Sequence, residues 1–386
     1  MLPSQKYFNV VDIVDYLIIG GGIAGTSFAA EIAAHGTTLL LEGEAEFGYH
    51  STGRSVAIFS RCYGNETIRA LTYDSNIVLS SPAKAFSDSG FLSPREILLV
   101  GSKDDRDKVT EIETQAKLEG IETQWLESAE LMQIAPYLKR HAAQAGLIER
   151  GGADIDVAAL HLTYMKRARS LGARLLTGRR VSNIERTLNG WIVSTGQEHF
   201  TGKILINASG AWADQIAAMA KIPVLGLKPL QRTIFLFPQK DLDLALFNYM
   251  VANVSEHYYF KREGDMILAS PADEKPVAPQ DIQPDALDIA TGVDEIERAT
   301  TLKVETISHK WAGLRTFAPD RIPVVGFDPN DDRFFWFAGQ GGYGIQISPA
   351  LASIGSRILT NSDSFFPVDR SLNLIGALNP SRFNSS

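Results

Sequence analysis

Cysteine is nearly absent from this chain, and Cys62, the single one among 386 residues, cannot close an internal disulfide. A small, disulfide-stapled extracellular scaffold is therefore excluded. Positive charge is also in deficit. Lys and Arg number 37 against 45 Asp and Glu, a formal net charge of −8, the wrong sign for gripping a polyphosphate backbone. Nucleic acid is not an expected partner. Long apolar runs are missing: the stretch from Val10 to Ala34 is broken by Asp12, Asp15, Glu31 and six glycine or hydroxyl residues, whereas a membrane span needs ~20 clean apolar residues. Integral insertion is not expected, while peripheral contact with a membrane surface would leave no such trace. Nothing at the amino end reads as a cleavable signal, so the cytosol is the expected compartment. The seven histidines show no metal-ligand spacing, and no metal site is expected.

What is present is ordinary for a folded chain: 45% hydrophobic and 21% charged residues. At ~150 residues per domain the length suggests two or three domains. From Asp15 the sequence runs through Tyr-Leu-Ile-Ile into Gly20-Gly-Gly22-Ile23-Ala24-Gly25. A helix-compatible stretch from Ser27 to Ala34 follows, then Gly36 and a strand from Thr38 to Leu41 that ends at Glu42. This is one βαβ unit carrying a dinucleotide fingerprint. Gly20 permits the tight turn, Gly22 lets a pyrophosphate approach the backbone, and Gly25 lets helix and strand pack closely. The helix amino terminus offers N–H groups and a positive dipole end to phosphates. Glu42 stands where a carboxylate accepts hydrogen bonds from ribose hydroxyls, and it would repel a 2′-phosphate. The fingerprint does not separate NAD from FAD.

Two later segments repeat the strand-to-glycine-to-helix transition. One is Lys203 to Asn207 leading into Ala208-Ser-Gly210-Ala-Trp212; the other is Phe334 to Ala338 leading into Gly339-Gln-Gly-Gly-Tyr-Gly344 and a helical-period run from Ile345 to Leu359. The last helix end would suit the negative charge of a reduced flavin. Residues 103 to 139 are rich in charge and helix formers and close at Pro136. Residues 226 to 319 read as alternating strands, such as Thr233 to Phe237 and Tyr258 to Lys261 with a turn at Gly264-Asp265, and predict an antiparallel sheet. The expected architecture is α/β: a Rossmann-like nucleotide-binding domain assembled from 12–80, 150–225 and 320–370, with an inserted α+β substrate domain from 81–149 and 226–319. The active cavity is expected between them. Residues from Asn379 to the end are expected to fray.

Several motifs together are longer than chance spacing supplies: Gly20-Gly-Gly-Ile-Ala-Gly25, GYHSTGRS at 48–55, NASGAWAD at 207–214, GLR at 313–315 with DRIPVVG at 320–326, and GQGGYGIQ at 339–346. They resemble the FAD-dependent D-amino acid oxidase and glycine oxidase superfamily. LSPR at 92–95, GADID at 152–156, DALDIATG at 285–292 and WAGLRTF at 311–317 are most similar to the bacterial D-arginine dehydrogenases within it. The resemblance implies non-covalent FAD and oxidation of an amino acid at its α-carbon by hydride transfer to flavin N5, giving an imine and then a 2-oxo acid and ammonia. It assigns to FAD binding Gly20, Gly22, Ile23, Ala24, Gly25, Glu42, the arm His50, Ser51, Thr52, Arg54 and Ser55, then Val181, Ala208, Gly210, Trp212, Gly341, Gly342, Tyr343, Gly344 and Gln346. For His50 it implies cofactor packing rather than catalysis.

Such chemistry needs a fixed substrate carboxylate, and the guanidinium fork matches one bidentately. Arg315 and Arg232 match the arginines that hold it in the resembling family, and Tyr63 and Tyr259 align with tyrosines over the substrate. Because strand side chains alternate faces, only one of Tyr258 and Tyr259 can face the cavity, and the alignment selects Tyr259. No general base stands out. A substrate ammonium can lose its proton to water, so a rate that rises with pH is expected.

Two departures bear on the substrate. Where the D-arginine dehydrogenases carry a glutamate for the cationic side chain, an ungapped reading places Ile97, with Glu96 one residue early. One residue of offset turns a strand side chain to the opposite face. If the register holds, neutral or apolar side chains are preferred; a local bulge would bring Glu96 in instead. The first is the expectation. Ile58 stands where the family has an active-site histidine, and Ser60 replaces a threonine. The leading expectation is a D-amino acid dehydrogenase or oxidase, with oxygen, a quinone or another carrier as electron acceptor. A glycine- or sarcosine-type oxidase and a non-catalytic flavoprotein subunit are the alternatives.

Overall fold

The computed structural model describes residues 13–239 and 243–383. Its first sheet has eight strands, five of them parallel in the order Asp331–Ala338, Glu198–Asn207, Val14–Ile19, Thr38–Leu41, Arg174–Leu176. Leu17, Ile18, Leu39, Leu40, Leu205 and Ile206 are wholly buried, as expected of strands covered on both faces. On one face lie the helices Ile23–Ile32 and Ser348–Thr360, with Phe28 stacked on Phe337 at 4.4 Å between ring centroids. The other face is closed by the antiparallel strands Asn183–Thr187 and Gly190–Thr195 and the short helix Ala213–Met219. All three strand-to-glycine-to-helix transitions therefore end at the same edge of one parallel sheet, where ligands bind in such folds.

The second sheet has ten strands, ordered from Gln340–Gly341 through His309–Phe317, Lys228–Pro238, Met266–Ser270, Tyr259–Glu263, Met250–Asn253, Ile97–Gly101 and Ala145–Glu149 to Thr123–Glu127, with Lys275–Pro276 beside Lys228–Pro238. Its strands between residues 226 and 319 pair antiparallel with one another. The sheet as a whole is mixed, because Met250–Asn253 runs parallel to Ile97–Gly101. That pairing joins residues 153 apart, as in Met250↔Ile97, which no local pattern reveals. A small third sheet of Ile58–Phe59, Leu92–Pro94 and Ala153–Ile155 links the segments between the two large ones.

Several local expectations change. The helix expected from Ser27 begins at Ile23, with Gly22 as its N-cap. The last one begins at Ser348 rather than Ile345, with Pro349 in its first turn, where the lost N–H has no intrahelical partner to miss. The charged stretch 103–139 is two helices, Arg106–Leu118 and Ser128–Ile134, separated by the strand Thr123–Glu127. A helix that the strand pattern did not predict, Ala286–Ala299, is capped by the Asp285 side chain on Asp288 N and packs Ile289 and Ile296 against Phe235 and Phe237. Nor do residues 379–383 fray: Arg382 donates to Asp320 Oδ2 at 2.7 Å and to the carbonyls of Leu378 and Ile322. The expectation for 384–386 lies outside the described residues.

The βα turn explains its own glycines. Gly20 has φ +110°, and a Cβ there would strike the Ala208 carbonyl of the neighbouring strand. A Cβ on Gly25 would fall far inside van der Waals contact of the Gly20 carbonyl oxygen. Gly25→Ala is expected to cost about 3 kcal/mol, the upper range for overpacking, read as a lowered urea midpoint with loss of flavin from the purified protein.

Candidate active site

Between the two large sheets lies a cavity of about 720 Å³, within the size range of ligand sites. At its nucleotide end the Glu42 carboxylate accepts from Gly21 N at 2.7 Å and Glu44 N at 2.8 Å. Each oxygen keeps a second lone pair for a ribose hydroxyl. The helix that starts at Ile23 has no side-chain cap, while Thr52 Oγ1 accepts from Ile23 N at 2.9 Å and fixes the arm against the turn. His161, which the sequence reading missed, brackets the same turn: its Nε2 lies 3.1 Å from the Gly21 carbonyl, and burial pushes its pKa down. A neutral imidazole there braces the loop without adding charge. A backbone cradle, a braced acid on the adjacent strand and a long enclosed cavity fit an adenine dinucleotide.

Of the residues assigned to FAD, all but Gly25 and Tyr343 line this cavity. Gly25 serves the close helix–strand approach. Tyr343 lies behind Tyr63, 4.8 Å between ring centroids. Three polar members have their hydrogen bonds committed elsewhere. Arg54 donates to the Ile282 and Ala312 carbonyls and pairs with Asp281; Ser51 donates to the Leu314 carbonyl; Gln346 brackets Ser60 and Thr72. The bonds of Arg54 to Ala312 and of Ser51 to Leu314 rivet the arm to the second sheet, a role that residue type alone does not reveal. His50 packs against Trp212 at 4.7 Å and lies 2.9 Å from Glu44, which also pairs with Arg180.

At the other end, Arg315, Arg232, Tyr63 and Tyr259 line one wall. Arg315 Nη1 donates to the Tyr63 hydroxyl at 3.0 Å, and the Arg232 guanidinium lies 5.7 Å from the Tyr259 ring centre. A Cβ on Gly342 would come within 2.5 Å of Arg315 Nη1, so glycine there makes room for the guanidinium. Tyr258 instead stacks with Phe260 in the core, although it too touches the cavity. Ile97 faces the cavity and is 3% exposed. Glu96 is absent from the lining and pairs with Arg150. No bulge intervenes, since Ile97 pairs in register with Glu149 and Met250. Ile58 also lines the cavity.

The sequence reading missed two carboxylates. Glu274 pairs with Arg315, binds Arg321 through both oxygens at 2.8 and 2.9 Å, and lies 3.5 Å from Arg232 Nη2. It does not line the cavity, so it holds the two guanidinium groups from behind. Glu149, wholly buried, accepts from Ser60 Oγ at 2.7 Å and from the backbone N–H groups of Arg61 and Cys62, fixing the loop that carries Tyr63. Neither sits in a recognisable motif; only the fold brings them to the site. Among the described residues, no cluster of three or more His, Cys, Asp or Glu could hold a metal, and no helix is long and apolar enough to cross a membrane.

One cavity thus joins a glycine turn at a helix amino terminus to a pair of largely buried guanidinium groups. Residues 15–357 match the family model described as FAD dependent oxidoreductase, and the chain belongs to that family. It is 25% identical over 363 residues to a mitochondrial dimethylglycine dehydrogenase of Rattus norvegicus, covering 86% of this chain and 41% of that protein. The chain thus spans about two-fifths of the length of that relative. With the glycine oxidase of Bacillus licheniformis it shares 24% identity over 357 residues, 88% of this chain and 91% of the other. Among solved structures, the L-proline dehydrogenase of P. horikoshii superposes with a TM-score of 0.82 at 22% identity, covering 97% of this chain and 99% of that one, which shows a shared fold.

Burial alone would raise the Glu274 pKa, but the Arg321 hydrogen bonds and the charges of Arg315, Arg321 and Arg232 outweigh it and hold the carboxyl below its ordinary 4.5. Its contribution to stability is therefore full above pH 4.5 and is lost as pH falls through the lower folded value. Glu274→Gln is expected to flatten this acid-side loss in thermal melts. Glu274→Ala is expected to destabilise by about 3 kcal/mol, as for a buried ion left without its partner, whereas Arg321→Ala, at the exposed end, is expected to cost about 1 kcal/mol.

Proposed function

We propose that the protein oxidises an α-amino acid at its α-carbon, with a D-amino acid of neutral or apolar side chain as the leading substrate, yielding an imine that hydrolyses to a 2-oxo acid and ammonia. The observation that carries this reading is the pairing of Arg315 and Arg232 with Tyr63 and Tyr259 on one wall of the cavity that also holds the glycine cradle. FAD supplies the two-electron acceptor. The chain's own groups bind and aim the substrate. A carboxylate docked on buried guanidinium groups is oriented by a planar fork, and fixing it beside the acceptor converts a bimolecular encounter into a near-attack arrangement. Tyr63, already bonded to Arg315, and Tyr259 close over the substrate and exclude water. The ammonium proton leaves to solvent. Ile97 in place of a charged residue supports the preference for uncharged side chains.

A second reading, oxidation of glycine or an N-alkyl glycine, is favoured by the names of two relatives, the dimethylglycine dehydrogenase and the glycine oxidase. Anaerobic bleaching of the flavin by D-, L- and N-methyl amino acids separates the two. The expected order is D-amino acids with apolar side chains first; bleaching by sarcosine or dimethylglycine alone would establish the second reading, and no bleaching by any amine would overturn both and point to a 2-hydroxy acid dehydrogenase. Arg315→Met is expected to lower kcat/KM by about 10³-fold, on the order of two charge-assisted hydrogen bonds. The ratio kcat/KM should rise with pH in the wild type as the substrate amine loses its proton. Ile97→Glu is expected to shift preference toward cationic side chains, read as the ratio of kcat/KM for D-arginine over D-leucine.

A further inference from the structure

Beyond Tyr259 the cavity does not end. It continues across the second sheet over a floor of aliphatic side chains. Ile97 and Leu99 alternate onto one face of their strand, opposite Met250 and Ala252 on the parallel neighbour, in the register Met250↔Ile97 and Ala252↔Leu99. All four line the cavity, and Ile112, from the helix Arg106–Leu118, and Val254 line its far end. The intervening Leu98, Val100 and Val251 point the other way into the core, so the floor belongs to the cavity by register and not by chance exposure. Ala252 also pairs with Tyr259, which places the floor directly beside the clamp. From the strand of Tyr259 to that of Ile97 is two strand spacings, roughly 10 Å. No charge meets this floor from its own strands, since Glu96 is turned away onto Arg150. The polar groups at its outer end are Asn253, engaged with Ser255 N, and the exposed Glu256.

The geometry points to an extended apolar subsite that takes a straight aliphatic chain of about eight carbons, the length that spans this floor at ~1.2 Å of advance per bond, carried by a substrate whose carboxylate sits on Arg315. This deepens the proposed function and rests on its reading of Arg315 as the carboxylate anchor. Chains that short side chains leave uncovered would bury apolar surface along Met250, Ala252, Leu99 and Ile112, and each added methylene contributes a transfer free energy equivalent to about fourfold in affinity.

The test uses the flavin-loaded protein and straight-chain monocarboxylates from propionate to decanoate, with binding read from the perturbation of the flavin absorbance, together with turnover of 2-amino acids of matching chain length. The dissociation constant is expected to fall about fourfold per carbon and to level off near eight carbons. Leu99→Phe should bring the plateau about two carbons earlier; Ala252→Leu provides the same readout should the first variant fail to fold. Affinity that is flat beyond butyrate, or a plateau that neither variant moves, overturns the subsite. If the carboxylate series shows the trend while no amine bleaches the flavin, the amino acid reading fails and the subsite stands. If amino acids are oxidised without any dependence on chain length, the reading stands and the subsite fails.

Discussion

Two guanidinium groups held inside a cavity with aliphatic walls are the constraint around which this molecule is organised. An isolated buried charge is too costly to persist, so partners must be supplied. Glu274 supplies one from behind the cavity wall, shared between Arg315, Arg232 and the more exposed Arg321. Tyr63 supplies another from within. Asp273, whose carboxylate accepts from Thr233 N, adds a second negative charge close to Arg232.

The position of that cluster follows from how the two sheets meet. Arg232 and Arg315 stand on adjacent antiparallel strands, where Arg232 faces Gly313 and Arg315 faces Leu230. The glycine loop that follows Ala338 returns as the short strand Gln340–Gly341 beside Phe317, so the first sheet's glycine loop is stitched to the second sheet beside Arg315. Ser51 and Arg54 bind the far arm to the same strand. The glycine turn and the guanidinium pair are therefore held at a fixed separation by backbone pairing and not by loops alone.

Much of this was readable along the chain. The βαβ unit with Glu42, the three glycine transitions, the strands around Arg232 and Arg315 and the offset of Ile97 from Glu96 all depend on local spacing, and each lies where that spacing puts it. Other features were not readable. Glu274 and Glu149 act through partners 41 and 89 residues away, and no periodicity marks a residue whose role is set by such contacts. Arg54 and Ser51 are assigned by resemblance to FAD binding, and their donors meet carbonyls of a strand that arrives some 260 residues later. Tyr343 sits in a motif and still stands one layer behind the cavity.

Local sequence by itself determined which backbone turns had to be glycine and which strand faces were apolar, because sterics and alternation act within a few residues. Tertiary structure alone decided which of several eligible arginines, carboxylates and aliphatic side chains share one enclosed space. The parallel pairing of Met250–Asn253 with Ile97–Gly101 joins segments that no short-range rule connects, and through it the floor beside the clamp becomes apolar.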